Sequence, residues 1–100
     1  MEKENKMKNE IYKELKVSFQ SMEQQIKERK EYKELLKFKI DLYNKCLDDH
    51  LLEKGSKLIR EHLDATKKEV KEVDQQIEDL TLEKDAYRIE LEVFEDAFRE

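Results

Sequence analysis

The sequence contains no proline, no tryptophan, one cysteine and one glycine in its 100 residues. A β or mixed α/β domain needs turn-forming residues at every chain reversal, and Gly55 is the single glycine available for this purpose. No apolar run approaches the roughly 20 residues that cross a bilayer. These scarcities argue against a β-rich fold and against a membrane partner. Because Cys46 has no second cysteine to pair with, a reducing, cytoplasmic location is the simplest interpretation.

Charged residues make up 47% of the chain and the net charge is −5. A composition rich in Glu, Lys and Leu is typical of long helices and coiled coils. No run of unopposed Lys or Arg is available to neutralise phosphates, so we expect no direct contact with nucleic acid. A Gly-rich phosphate loop and a Ser/His/Asp order are also missing, and a rod of two helices offers no pocket. We therefore expect neither enzymatic activity nor a cofactor.

Apolar residues recur at alternating steps of three and four along most of the chain. The first series is Tyr12, Leu15, Phe19, Met22, Ile26, Arg29, Lys33, Leu36, Ile40, Tyr43, Leu47 and His50. The second is Ile59, Leu63, Thr66, Val70, Val73, Ile77, Leu80, Lys84, Tyr87, Leu91, Phe94 and Phe98. This repeat predicts two helices, each with an apolar seam of the coiled-coil kind.

The two series differ in phase by two residues, which a continuous coiled coil does not absorb. Gly55 lies at the break, and we predict a turn at about 54–56 with Gly55 in the left-handed conformation and Ser56 as N-cap. Residues 1–100 then form a single all-α domain, a long two-helix antiparallel coiled-coil hairpin. Its helices are expected at about 8–53 and 57–99, and two such hairpins are expected to dimerise into a four-helix bundle. The alternative is a long parallel dimeric coiled coil.

Charge favours the hairpin over the parallel dimer. Residues 1–39 carry eleven basic and eight acidic side chains, whereas residues 74–100 carry three basic and ten acidic ones. A hairpin places these stretches side by side, and a parallel dimer sets the acidic stretch against its own copy. Folding about Gly55 predicts that Leu15 faces Phe94 and that Tyr12 faces Phe98.

Further apolar residues lie off the seam at helical spacing, and a solitary hairpin would expose them. Exposed apolar surface of this kind indicates an interface with a second copy, with another helical protein, or with both. We expect Phe94 and Phe98 to add to it, because aromatic side chains concentrate binding energy. The predicted interface residues are Leu35, Phe38, Leu42, Leu82, Ala86, Ile89, Val93, Phe94 and Phe98. Cys46 continues the stripe on the first helix.

Cys46 and His50 are four residues apart, and a turn near residue 55 would return His62 close to them. These residue types can bind zinc, but no CxxC or HxxxH pair supports such a site. The set Cys46, His50 and His62 is therefore only a weak metal candidate, and structural roles are the favoured interpretation for all three residues.

Three functional classes fit these patterns. The first is a non-catalytic coiled-coil interaction module that acts as an oligomerising adaptor or scaffold. The second is a small acidic helical regulator, of the kind that phages or mobile elements encode, which binds and blocks an enzyme or a nucleic-acid-binding protein. The third is a fragment of a longer coiled-coil protein, since the heptad pattern is still strong near Glu100.

Overall fold

The computed structural model describes residues 2–48 and 53–98, and all of them are helical. Helix α1 spans Glu2–Asp48 and helix α2 spans Glu53–Phe98. Both helices are built mainly from Glu, Lys, Leu and Gln, which have high helix propensity, and neither contains proline. Glu2 and Glu4 in the first turn of α1 also suit the positive end of its dipole. The predicted all-α hairpin is confirmed, because α1 and α2 of one chain pack against each other.

Two compact units make up the chain, and each contains a stretch of both helices. Unit 1 comprises Met1–Lys27 and Glu78–Glu100, and unit 2 comprises Glu28–Ile77. The stretches within each unit run antiparallel, because higher-numbered residues of α1 meet lower-numbered residues of α2. The contacts that show this are Lys8–Phe98 and Phe19–Lys84 in unit 1 and Lys33–Asp74 and Tyr43–His62 in unit 2.

The buried residues of both units fall on the predicted seam. Ile26 is buried in unit 1, and the buried residues of unit 2 are Leu36, Leu63, Thr66 and Val73. The other described members of the two series are half-buried except Arg29 and Phe98, which are exposed, and His50 lies outside the described residues. Every third or fourth residue thus meets the opposite helix, as a period near 3.5 requires.

Polar residues on the seam of unit 2 are satisfied locally or across the pair of helices. The Thr66 hydroxyl donates a hydrogen bond to the His62 carbonyl one turn earlier, at 2.8 Å. Lys33 reaches across to Asp74, with its Nζ 2.5 Å from Oδ1. These contacts allow polar side chains at seam positions without leaving a buried donor or acceptor unpaired among the described residues.

The predicted position of the turn is wrong. Residues 54–56 lie inside α2, and Gly55 does not have a positive φ. Ser56 is consequently not an N-cap. Glu53, the predicted end of the first helix, belongs to α2, and residues 49–52 lie outside the described part of the chain. A glycine inside a helix costs only about 1 kcal/mol relative to alanine, so Gly55 alone does not end a helix whose neighbours favour it.

The predicted pairing along the seam of unit 1 is wrong by about one helical turn. The ring of Tyr12 lies 5.9 Å from that of Phe94, and its hydroxyl lies 3.5 Å from Glu95 Oε1. Folding about Gly55 predicts instead that Tyr12 lies opposite Phe98 and Leu15 opposite Phe94.

Unit 2 shows a shift in the same direction. The ring of Tyr43 lies 5.8 Å from the His62 ring, whereas folding about Gly55 would place Tyr43 opposite Lys67. The physical reason is the same in both units. Because Gly55 already lies inside α2, the chain has reversed before this residue, and each α1 residue meets an α2 residue of lower number than predicted.

Candidate protein-interaction surfaces

The first surface is the outer face of α1 in unit 2, formed by Leu35, Phe38 and Leu42. Leu36 of this helix is fully buried in the seam, whereas the neighbouring Leu35 is 48% exposed. Phe38 is 72% exposed, because it stands two residues after Leu36 and so points away from α2. We call these three residues the α1 outer face. The rows of residues that border it carry both signs of charge, with Glu34 and Asp41 on one side and Lys39 on the other.

The second surface is the outer face of α2 in unit 1, formed by Leu82, Ala86, Ile89 and Val93. All four are exposed, with Leu82 at 64% and Val93 at 61%. Steps of four, three and four residues place them in one line along the helix. We call this line the α2 outer face.

A cluster of aromatic side chains lies on the seam of unit 1. The Phe94 ring is half-buried between Tyr12 and Phe98, with 5.0 Å between the centroids of Phe94 and Phe98. Lys8 Nζ stands 5.2 Å from the centroid of the Phe98 ring, at cation–π distance. Phe94 therefore contributes to the packing of α1 against α2. Phe98 is half exposed and borders an open groove with Tyr12 and Glu95.

All nine predicted interface residues lie within the described part of the chain, but the structure distributes them over three places. Three form the α1 outer face in unit 2, four form the α2 outer face in unit 1, and Phe94 and Phe98 belong to the aromatic cluster. Their role in binding stays a prediction. Cys46 is half-buried rather than exposed, so it does not extend the α1 outer face.

Several exposed apolar residues were not predicted from the sequence. Met7, Ile11 and Val17 on α1 and Leu58 on α2 are each about half exposed or more. The four-residue spacing of Met7 and Ile11 was the available signal. This spacing was not used, because the seam series begins at Tyr12 and the adjacent Ile11 belongs to a different face of the helix.

The weak metal candidate receives no support in the part of the chain that is described. His50 lies outside that part, and the ring of His62 packs against Tyr43. Among the described residues no three His, Cys, Asp or Glu side chains are grouped closely enough to hold a metal ion.

One titratable group in unit 2 has a shifted pKa. The Tyr32 hydroxyl donates a hydrogen bond to a Glu69 carboxylate oxygen across the two helices. This bond raises the pKa of Tyr32 above its ordinary value of 10.0, and desolvation and the negative charge of Glu69 act in the same direction. The contact joins α1 to α2, so its role is in packing.

Over the described residues, neither helix has a segment long and apolar enough to span a membrane. No protein-family model, curated protein or solved structure matches the chain.

Proposed function

We propose that this protein is a non-catalytic interaction module whose hairpin self-associates and acts as an adaptor or scaffold. The observation that carries the proposal is the α1 outer face. A helix in a two-helix unit needs one apolar stripe, yet α1 also presents Leu35, Phe38 and Leu42 to solvent on its far side. Such a second stripe is stabilised when another helix covers it.

We propose that a second copy of the chain binds the α1 outer face. Its borders carry acidic residues on one side and Lys39 on the other, so two copies can set opposite charges against each other. Association of two hairpins through one helix each would complete a four-helix arrangement. We place this activity in the cytoplasm, in keeping with the single, half-buried Cys46.

The test is the mass of the particle in solution, measured by sedimentation equilibrium over about a hundredfold range of protein concentration. The chain should approach the mass of a dimer, and the triple variant Leu35→Gln, Phe38→Gln, Leu42→Gln should remain monomeric. The matched control Leu82→Gln, Ile89→Gln, Val93→Gln removes the same number of exposed apolar side chains from α2 and should still dimerise. A monomeric wild-type chain at every concentration would refute self-association.

A measurement of helicity distinguishes loss of the dimer in the α1 triple variant from unfolding of that variant. Because the three α1 residues point to solvent, their substitution should leave the far-UV circular dichroism unchanged. Loss of helicity in the α1 triple variant would mean that these residues are core, contrary to the proposal.

A second candidate function is the small acidic regulator that blocks a partner. The observation that favours it is the charge of residues 78–98, which carry eight acidic and two basic side chains. Acidic helices of this kind can occupy a basic surface by charge complementarity. A chain that stays monomeric and still binds a basic partner would favour this function over the adaptor.

A further inference from the structure

The α2 outer face has the form of a docking site for one more helix. In helix packing of the coiled-coil kind, a side chain from one helix enters a hole made by residues i, i+3, i+4 and i+7 of the other. Leu82, Asp85, Ala86 and Ile89 have this spacing and form one hole. The small side chain of Ala86 leaves room for an entering side chain, with larger apolar groups on either side.

A second hole follows immediately along the helix. It consists of Ala86, Ile89, Glu90 and Val93, so the two holes share Ala86 and Ile89. From Leu82 to Val93 the line extends about 17 Å at 1.5 Å per residue, which is three helical turns. A partner helix of about 12 residues would cover it.

Acidic residues border the α2 outer face on both sides. Glu78, Asp85 and Glu92 recur every seven residues along one side, and Glu83 and Glu90 do so along the other. Arg88 pairs with the first row, 2.9 Å from Glu92 and 3.9 Å from Asp85. Residues 78–98 nevertheless hold eight acidic and two basic side chains, so the surface stays negative.

The negative charge beside the α2 outer face determines which kind of partner can bind there. A second copy using the same face would place acidic borders against acidic borders, which disfavours that pairing. Nucleic acid and anionic membrane surfaces are negative as well and would be repelled. A helix with apolar residues on one face and Lys or Arg beside them satisfies both the holes and the borders.

We propose that the α2 outer face binds a basic amphipathic helix of a partner protein. Its apolar side chains enter the two holes, and its basic residues lie next to Asp85 and Glu90. This inference rests on the proposed function as an interaction module, and it assigns to α2 a partner different from the second copy proposed for α1.

The probe is a designed helical peptide of about 18 residues with Leu at positions that repeat the four, three, four spacing and Lys beside them. A matched peptide has the same Leu residues with Glu in place of each Lys. Fluorescence anisotropy with the full-length chain should show binding of the basic peptide and at least about tenfold weaker binding of the acidic one. Equal affinity for both peptides, or no binding of the basic peptide, would overturn the proposal.

Variants locate the binding on the chain. Leu82→Gln, Ile89→Gln, Val93→Gln should weaken binding of the basic peptide by at least about tenfold, because three apolar contacts are lost. Glu83→Gln, Glu90→Gln should weaken it by about threefold to tenfold at low salt and by less at high salt. Affinity that is unaffected by the first variant would place the peptide elsewhere and refute the assignment.

The control variant is Leu35→Gln, Phe38→Gln, Leu42→Gln, which should bind the basic peptide with unchanged affinity. It also separates the two proposals: if the chain never dimerises but the peptide binds at Leu82–Val93, self-association fails and this inference stands. If the chain dimerises and the α2 triple variant abolishes the dimer, a second copy covers the α2 outer face and this inference fails.

Discussion

Leu35 and Leu36 are adjacent in the chain but have opposite environments in unit 2. Leu36 is fully buried in the seam, whereas Leu35 is 48% exposed on the α1 outer face. Removing a buried leucine side chain loses transfer free energy and leaves a cavity. Because consecutive helical residues point about 100° apart, the two positions give a matched pair for measuring what the seam contributes.

We expect Leu36→Ala to lower the free energy of unfolding by about 2–4 kcal/mol. Leu35→Ala should change it by less than about 0.5 kcal/mol, because little packing is lost at an exposed site. Urea denaturation followed by circular dichroism, at a concentration where the chain is monomeric, gives both values. Similar losses for the two variants would show that the seam does not run through Leu36.

The Tyr32–Glu69 hydrogen bond predicts a dependence of stability on alkaline pH. Because the pKa of Tyr32 is raised in the folded chain, the folded state holds this proton more tightly than the unfolded state. Its contribution is therefore fully present below the ordinary pKa of 10.0 and is lost as the pH rises through the raised value.

Tyr32→Phe removes the titrating hydroxyl and serves as the reference. The difference in unfolding free energy between the wild type and Tyr32→Phe should favour the wild type at neutral pH and shrink above about pH 10. Using the difference cancels the titration of lysines, which both proteins share. A difference that stays constant up to about pH 11 would contradict the role of this hydrogen bond.

At the level of the helices, Gly55 provides the sharpest test, because the sequence and the structure give it different conformations. The sequence predicts a left-handed turn residue, and the structure places Gly55 inside α2 without a positive φ. A methyl group added at this position would meet nothing within 4 Å.

Gly55→Ala should therefore raise the free energy of unfolding by about 0.5–1 kcal/mol, since alanine loses less backbone entropy in a helix. In the left-handed conformation the same substitution would destabilise the chain by about 1 kcal/mol or more. Ser56→Ala gives an independent check: it should be neutral or slightly stabilising inside a helix, whereas loss of an N-cap costs about 1 kcal/mol. Thermal or urea denaturation decides the sign of both changes.

The two helices and the residues that form their seam could be predicted, because both depend on the local spacing of apolar residues. The same periodicity places Lys33 on the seam, and in the structure its side chain reaches the acidic Asp74 on α2. Lys84 differs: its Nζ lies 5.5 Å from the centroid of the Phe19 ring, so an aromatic face takes the place of a carboxylate.

The pairing of the helices could not be predicted in the same way. Two helices with seven-residue apolar repeats pair nearly as well when one is shifted along the other by one turn, because apolar residues still meet apolar residues. The position of the reversal selects one pairing, and its main sequence signal was Gly55. The free-energy cost of one glycine in a helix is too small to determine where the chain reverses when the residues around it favour helix.

For the molecule as a whole, the sequence predicted seven of the exposed apolar residues that lie off the seam, but it missed Met7, Ile11, Val17 and Leu58 and did not show how the surroundings of the two outer faces differ. Apolar spacing identified Leu82, Ile89 and Val93 from residue type alone. The acidic rows beside them were visible in the sequence as repeats of seven, yet they gain meaning only once this face of α2 is known to be exposed. The two outer faces differ in the charge of the residues that border them, which is mixed at the α1 outer face and acidic at the α2 outer face.

The two outer faces should respond differently to salt. Self-association at the α1 outer face relies mainly on the apolar contacts of Leu35, Phe38 and Leu42, and its borders add only a few charges, so salt should weaken it less than it weakens peptide binding. Binding of the basic peptide at the α2 outer face relies on attraction to a surface of one sign, and salt screens that attraction over about 10 Å at 0.1 M and about 3 Å at 1 M.

We therefore expect that raising the salt from about 0.05 M to about 0.5 M weakens binding of the basic peptide while the dimer persists. Sedimentation with separate absorbance signals for chain and labelled peptide measures both in one sample, and at low salt each dimer should carry two peptides. Because the apolar contacts at Leu82, Ile89 and Val93 are not screened, some affinity should remain at high salt in the wild type. In Leu82→Gln, Ile89→Gln, Val93→Gln that residual affinity should disappear. Parallel loss of dimer and peptide would instead mean that one electrostatic surface performs both tasks.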